Sequence, residues 1–599
     1  MSTLSSAPSP KDASANGSTL NEAAKSNQKE WGRVLICGGT DWPRLGRKDR
    51  AGANKKPQEG PPGPDLLEPH ILRSLSNIKV TSLHTHCASC HVVALDIDGS
   101  AWLFGRNEKS SLGTTGEFVS ENAPIRLTAK ELGAPAGTTF VHAAVGRNHT
   151  ILVGSNGQFW SAGANHMGQC AQPVCPEVTT FKPGQVPRVN GTKEHVVQAA
   201  AGITFSLILT ESGRVYAFGS AEKGQLGNGK TGEHIVTGGK TVFDAEWEPI
   251  PVRGLEGKKI VQIACGQQHS VALGDDGLVY VWGYNGYCRL GLGNQKDMLV
   301  PEIVPHFSGP NEVLRGVKVV AGPSNTIVID RQGMLWMAGK VCMNLISLLI
   351  AWADGFVFDV QWKTTGDGSG GQPWSSFRYF QDMGSLKITD ASSGGVTHFA
   401  LAPEDDTVLT VCFGQGAANG ELGLGPDEPK SATKPTKNQP LDGIDVFRVS
   451  AAQNTSLFLA HPSDKLSDLP RHPLEMEAPE LCVICSKDNG EDDSPLECDK
   501  CDNPYHLGCL DPPLDGVPDG EWFCPECEAE PGAPVVVGAG LRNVKKGKGA
   551  SGGKGKKSPP PQAEEEDEDE DEEDMEDEEP QAGQKRKASS RSAPSKRKR

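Results

Sequence analysis

"GRNHTILVGSNGQFWSAG", residues 146–163, is the stretch on which the fold turns. It opens on Gly146, passes two variable residues to His149, and continues as an apolar strand. It then turns at Gly157 and returns as a second strand ending at Gly163. Gly in the turn suits the positive-φ positions of a tight hairpin. Both halves recur along the chain. The first half falls at Ala88, Gly146, Gly202, Gly266, Gly322, Gly395 and, degenerately, Gln453. The second falls at Gly38, Gly105, Gly163, Gly219, Gly283, Gly339 and Gly414. The spacing from first half to second is 17 residues in five pairs and 19 in the sixth, 395 to 414. A spacing that constant marks one two-stranded unit copied around a ring.

One half-unit is left over at each end. "GRVLICGG" near the start has no first half before it, and "FRVSAAQNTSLFLA" near the end has no second half after it. Joined in one blade, they close the ring without exposed sheet edges. The expectation is an all-β, seven-bladed propeller over residues 31–460.

The register also disposes of "HTHCASCH", residues 84–91, which contains the C-x-x-C-H pattern of haem attachment. His91 stands in register with His149, Phe205, His269, Asn325 and His398. A position that takes Phe or Asn as readily as His belongs to the repeat and is not a ligand.

Composition agrees with many short strands: Gly 71 and Pro 43 in 599 residues, with 36% hydrophobic residues. The net charge of −17 is local, because Glu564–Glu579 holds 15 acidic residues and their removal leaves −2. Residues 1–30 lack an apolar core and do not read as a signal peptide, and "VCMNLISLLIAW" is too short to span a bilayer. No membrane association is expected. The 16 cysteines are then expected as thiols or metal ligands in a reducing compartment.

The blade units resemble the regulator-of-chromosome-condensation propeller family. "GRVLICGGTDWPRLGRKD" and "LFGRNEKSSLG" look most like its second-regulator branch. The founding member is a chromatin-bound guanine-nucleotide exchange factor, so the resemblance implies either a docking platform or exchange on a small GTPase. No loop declares itself as a wedge or carboxylate for a nucleotide site, and no catalytic residue is assigned. "GYNGYCRLGLG" and "GQGAANGELGLG" read as blade turns, since neither opens a helix with a downstream Lys.

One interval breaks the ring. Gly322 to Gly395 spans 73 residues, and the excess includes the apolar Val341–Gln361. Val-Cys, Ala-Asp and the final Gln can be encoded as a splice donor, branch point and acceptor, so residues 341–361 read as a retained intron. A genuine apolar loop is the alternative.

After a polar, Pro-broken linker at 461–480 comes Cys482-x2-Cys485-x12-Cys498-x2-Cys501-x4-His506-x2-Cys509-x14-Cys524-x2-Cys527. Eight soft ligands in four pairs suit two tetrahedral Zn²⁺ sites. So short a segment has little core, and metal supplies on the order of 10 kcal/mol of folding free energy per site. The order of ligands, with Trp522 two residues before Cys524, resembles the plant homeodomain (PHD) finger over residues 481–528. RING fingers share the cross-brace, but their second pair is Cys-His. The resemblance implies interleaved ligation: Cys482, Cys485, His506 and Cys509 on one ion, Cys498, Cys501, Cys524 and Cys527 on the other, with Trp522 a core anchor.

In such fingers an edge strand before the third Cys takes up a histone tail by main-chain hydrogen bonds. Here that strand is "SPLEC", which sets Leu496 and Glu497 beside the peptide. Readers of trimethyl-lysine need an aromatic cage. This sequence has Pro504 two residues before His506, and Leu481 before the first Cys. Carboxylates cluster instead at Glu491, Asp492, Asp493, Glu497, Asp499 and Asp502, and these pair with an unmethylated lysine, an arginine or a free α-amine. The pattern is similar to fingers that read the unmodified N-terminus of histone three. A solvated acidic loop is the plain alternative.

Residues 529–599 are basic and Gly-rich, then acidic, then basic again, with no means of forming a core, and disorder is expected there and at 1–30. Lys585, Arg586 and Lys587, with Lys596, Arg597, Lys598 and Arg599, read as a nuclear localisation signal and as nonspecific phosphate contacts. The reading as a whole is a monomeric, nuclear, chromatin-associated binding protein whose partner is a histone tail or nucleosome. The rival reading is an exchange factor for a small GTPase.

Overall fold

The computed structural model describes residues 29–46, 63–237, 239–340, 373–404, 407–474, 481–487, 495–498, 503–518 and 522–525. The predicted insert 341–361, all but residues 29 and 30 of the predicted disordered segment 1–30, the predicted disordered tail 529–599 and the localisation signal lie outside these residues.

Seven antiparallel sheets follow one another as blades. Blade 2 shows the plan: Phe140–Val145 is innermost, followed outward by His149–Gly154, Phe159–Ala164 and Glu177–Pro183. The second strand is buried along its whole length in blades 1 to 5, namely His91–Asp96, His149–Gly154, Phe205–Thr210, His269–Gly274 and Asn325–Asp330, and again in Thr455–Ala460 of blade 7. It lies between two neighbouring blades, so both of its faces meet apolar side chains and its sequence reads as an unbroken apolar run. Glycine ends the third strand because it crosses close to the start of the second. At Gly163, with φ of 115°, a Cβ would lie 2.4 Å from the Asn148 carbonyl oxygen.

The seventh blade joins the two ends of the ring. Its sheet runs Val446–Ala451, Thr455–Ala460, Arg33–Gly39, Asp65–Leu72. The register pairs Arg33 with Ala460 and Gly38 with Thr455, which is the shared blade the leftover half-units predict.

The repeat register needs one correction. Strand pairing sets His91, His149, Phe205, His269 and Asn325 opposite the glycines at 105, 163, 219, 283 and 339. In blade 6 the residue opposite Gly414 is Thr397, and His398 is one position on. The repeat glycine there is Gly394, whose amide donates to the Thr397 carbonyl as that of Gly146 does to His149, so counting from Gly395 lands one residue late.

Two further features were not read from the sequence. Blade 3 carries a projecting hairpin, His234–Val236 paired with Lys240–Val242, on which Ile235 is 74% exposed. The first half of the supposed linker is structured. Asp464–Ser467 forms a helical turn, and Arg471–His472 pairs in parallel with Asp65–Leu72 as a fifth strand of blade 7. Leu466 is buried and Leu469 packs on the same core. In blade 5, Gly339 pairs directly with Trp374, so the blade is complete on either side of residues 340–373.

Candidate metal centre and peptide-binding edge

The ring histidines and the finger carry different chemistry. His91 Nε2 meets Thr150 Oγ1 at 2.9 Å, His149 Nε2 meets Ser206 Oγ at 2.9 Å, and His269 Nε2 meets Thr326 Oγ1 at 3.1 Å. In each pair the hydroxyl belongs to the next blade. Ser206 Oγ also donates to the Gln169 carbonyl, and Thr326 Oγ1 to that of Arg289. A hydroxyl has one proton to give, so it accepts from the imidazole, and both histidines carry their proton on Nε2. Burial above all holds His91 and His149 down at about 3. They are neutral joints between blades.

"HTHCASCH" has a second structural use. Residues 85–90 connect Val80–His84 to His91–Asp96, whereas residues 146–148 make the same connection in blade 2. The longer loop carries buried His86 across the ring to the backbone of Gly266 and Cys265 in blade 4. Together with Cys87 it lines a central cavity of about 230 Å³.

The finger gathers donors of a different kind. Cys482, Cys485, His506 and Cys509 bring their ligand atoms within 4.8 Å of one another. His506 Nδ1 lies 3.3 Å from Cys485 Sγ and 3.8 Å from Cys509 Sγ. Tetrahedral zinc with ordinary bond lengths separates its sulfur and nitrogen ligands by about 3.6 Å, so the donor set fits that ion. Against the effect of burial, the amides of His506, Cys485 and Ile484 lower the Cys482 thiol, and the His506 amide donates to its sulfur at 3.4 Å. Burial, then Cys485 and Cys482, hold the Cys509 thiol up at about 12. Thiols this close cannot all ionise unless a cation shares their charge, and a dication supplies that.

Of the second predicted quartet, Cys498 and Cys524 are buried and adjacent, with the Cys524 amide donating to Cys498 Sγ at 3.1 Å. Cys501 and Cys527 lie outside the described residues. Cys498 and Cys524 share a small core with Tyr505 and Leu510, with Trp522 packed on it and edge-on to Tyr505 at 5.6 Å. Trp522 is the anchor that the ligand order implies.

The edge strand is Leu496–Glu497. It pairs with Pro504–Tyr505 on one side, Leu496 with Tyr505 and Glu497 with Pro504. Among the described residues no strand pairs with its other edge. Both residues are half-buried, while Leu481, Val483 and Ile484 nearby in sequence are exposed. The sequence reading weighs Leu481 but not Val483 and Ile484, although these two sit between two ligands. Glu491, Asp492, Asp493, Asp499 and Asp502 lie outside the described residues.

Comparison with known proteins follows the same division. The RCC1-like domain family matches residues 33–458, and the PHD-finger family matches residues 482–527. Protein RCC2 homolog of Xenopus laevis is 28% identical over 465 residues, covering 74% of this chain and 81% of its own. Protein RCC2 of Homo sapiens is 28% identical over 462 residues, covering 74% and 79%. Ultraviolet-B receptor UVR8 of Arabidopsis thaliana is 26% identical over 356 residues, covering 57% and 74%. Among solved structures, human WBSCR16 superposes with a TM-score of 0.53 at 19% identity, covering 72% of this chain and 99% of that one. Prp20p of Saccharomyces cerevisiae, described with its binding properties to Gsp1p and histones, superposes with a TM-score of 0.54 at 20% identity, covering 73% and 93%. At these identities the structures speak for the fold.

Proposed function

The chain belongs to the RCC1-like domain family and carries a PHD finger after its propeller, and on that premise we propose that it is a nuclear chromatin-binding protein whose finger reads a histone tail. The observation that carries this is the edge of Leu496–Glu497 that no described strand covers, beside the Cys482, Cys485, His506 and Cys509 cluster. An extended peptide adds to such an edge through main-chain hydrogen bonds, and the flanking side chains choose its sequence. Pro504, buried, stands where a methyl-lysine reader needs an aromatic wall. Glu497 and the acidic residues around it in the sequence favour unmethylated lysine, arginine or an α-amine. The tail read is the unmodified N-terminus of histone three. Two zinc ions hold the finger, the second on Cys498, Cys501, Cys524 and Cys527. The propeller is the platform for a second contact, in keeping with the histone binding described for Prp20p.

The test is calorimetry of the zinc-loaded full chain against two tail peptides, unmodified and trimethylated on the fourth residue. Tighter binding of the unmodified peptide supports the reading. Tighter binding of the trimethylated one overturns it.

One feature favours a second reading, nucleotide exchange on a small GTPase. The hairpin His234–Val236 with Lys240–Val242 projects from blade 3 and presents Ile235, the kind of element that could enter a partner's nucleotide site. Acceleration of nucleotide release that is lost on replacing Ile235 with Asp would promote that reading.

A further inference from the structure

The chain that leaves the propeller does not leave freely. After Ala460 the Ser463 side chain caps a helical turn, accepting from the Leu466 amide at 3.2 Å. Leu466 is buried in one core with Ile71 and Phe458. The Ile71 amide then donates to the Pro470 carbonyl at 2.8 Å, and Arg471 and His472 pair with Ile71 and Leu72. Just past this strand, Arg73 donates to the Leu474 carbonyl at 3.0 Å.

The side chain of His472 makes the farthest connection. It is buried, and its Nε2 lies 2.7 Å from Glu121 Oε1. Glu121 is itself buried in the outer part of blade 1, and its second oxygen accepts from the indole of Trp42 at 2.5 Å. A buried carboxylate is costly unless its oxygens are paired. Among the described residues, His472 alone pairs with the Oε1 of Glu121. Fourteen residues thus tie together the core of blade 7, the outer edge of Asp65–Leu72, and a carboxylate of blade 1.

We propose that residues 461–474 are a strap that locks the ring at its closing seam and tethers the finger beside that seam, so that propeller and finger engage one chromatin surface together. Leu474 is followed by the first zinc ligand, Cys482, after eight steps of chain. Eight steps span at most about 29 Å, whereas a free connector from Ala460 to Cys482 would reach about 79 Å. Shortening the reach raises the local concentration of one module over a partner already held by the other. The tether rests on the chromatin-binding reading. The strap does not.

The two halves are tested separately on the full chain. In hydrogen exchange, the segment holding Asp65–Leu72 should be slow in the native protein because Ile71 gives its amide to Pro470. Leu466→Asp, and more mildly His472→Ala, should speed it by tenfold or more. Exchange in the native protein as fast as in Leu466→Asp overturns the strap. For the tether, 20 Gly/Ser residues are inserted after Leu474. Binding is then measured to nucleosome core particles and to the free unmodified tail peptide. With effective concentration falling as the −3/2 power of length, nucleosome affinity should drop about sixfold and peptide affinity should not change. Equal nucleosome affinities with peptide binding intact overturn the tether. If the native protein binds neither ligand, the chromatin reading falls and the tether with it, while the exchange result still decides the strap.

Discussion

His149 of blade 2 gives its Nε2 proton to Ser206 Oγ of blade 3, 2.9 Å away, and Ser206 gives its own to the Gln169 carbonyl, also 2.9 Å away and back in blade 2. The joint works only with a neutral, buried ring. The folded protein holds His149 at about 3, below the ordinary value of 6.5, so the unfolded chain binds the proton that the folded one refuses. Stability from this group is complete above pH 6.5 and is lost as pH falls from there toward 3. At pH 5 the loss is about 2 kcal/mol for one such histidine, and His91 adds a like amount. Thermal melts should therefore show a propeller that weakens steeply between pH 6.5 and 4. His149→Ala should cost about 2–4 kcal/mol at pH 7 through the lost packing and the stranded Ser206 hydroxyl. An unchanged melting temperature in that variant would remove the joint from the account.

Glu421 should show the opposite pH dependence. It occupies the place in blade 6 that Gln169 and Gln225 occupy in blades 2 and 3. Its Oε2 accepts the Asn419 amide at 3.0 Å, as Gln169 Oε1 accepts that of Met167 and Gln225 Oε1 that of Lys223. Burial raises its carboxyl to about 7. The folded state then holds a proton that the unfolded state has released, and stability declines as pH rises from about 4.5 through 7. Glu421→Gln should raise stability by about 3 kcal/mol at pH 8 and leave it unchanged below pH 4.5, read from chemical denaturation at the two pH values.

Which of these features the sequence discloses follows from how tightly each position is constrained. The second strand of a blade is pressed from both sides, so His149–Gly154 and its counterparts keep an apolar run that can be counted. Zinc chemistry restricts ligand type and spacing equally hard, and Cys482, Cys485, His506 and Cys509 do meet. In blade 6 two glycines stand side by side, and only the bond from the Gly394 amide to the Thr397 carbonyl shows that Thr397, not His398, holds the repeat position. The strap escapes notice because two leucines and one buried histidine anchor an otherwise polar, Pro-broken segment. The carboxyl of Glu421 differs from an ordinary one only through burial and neighbours such as Asn454 and Asp65, distant in sequence.

Removing zinc should unfold the finger and spare the ring. The finger's own core is small, built on Tyr505, Leu510 and Trp522 around the cysteines, so metal carries most of its stability. The propeller's inter-blade histidines use Nε2 for hydroxyl contacts and should hold no ion. A chelator should abolish near-ultraviolet signal from Trp522 and leave the main thermal transition in place. His506→Ala should lower bound zinc by one equivalent per chain in elemental analysis. Loss of the propeller transition on chelation would contradict this separation.

Glu497 pairs with Pro504 on one side and lies on a strand whose other edge no described strand covers. Its side chain is half-buried and is not among the metal ligands. A carboxylate there can pair with a cationic group of an added peptide while the backbone bonds form, and a charge-assisted hydrogen bond of that kind contributes about 1.5–3 kcal/mol. Glu497→Lys reverses the sign beside the edge and leaves the four-ligand cluster intact. Affinity for the unmodified tail should fall by more than tenfold in calorimetry, with zinc content unchanged. Glu497→Gln, which keeps an acceptor and removes the charge, should fall between the two. An affinity that follows neither charge nor acceptor would place the peptide elsewhere on the finger, with the exposed Val483 and Ile484 as the next surface to test.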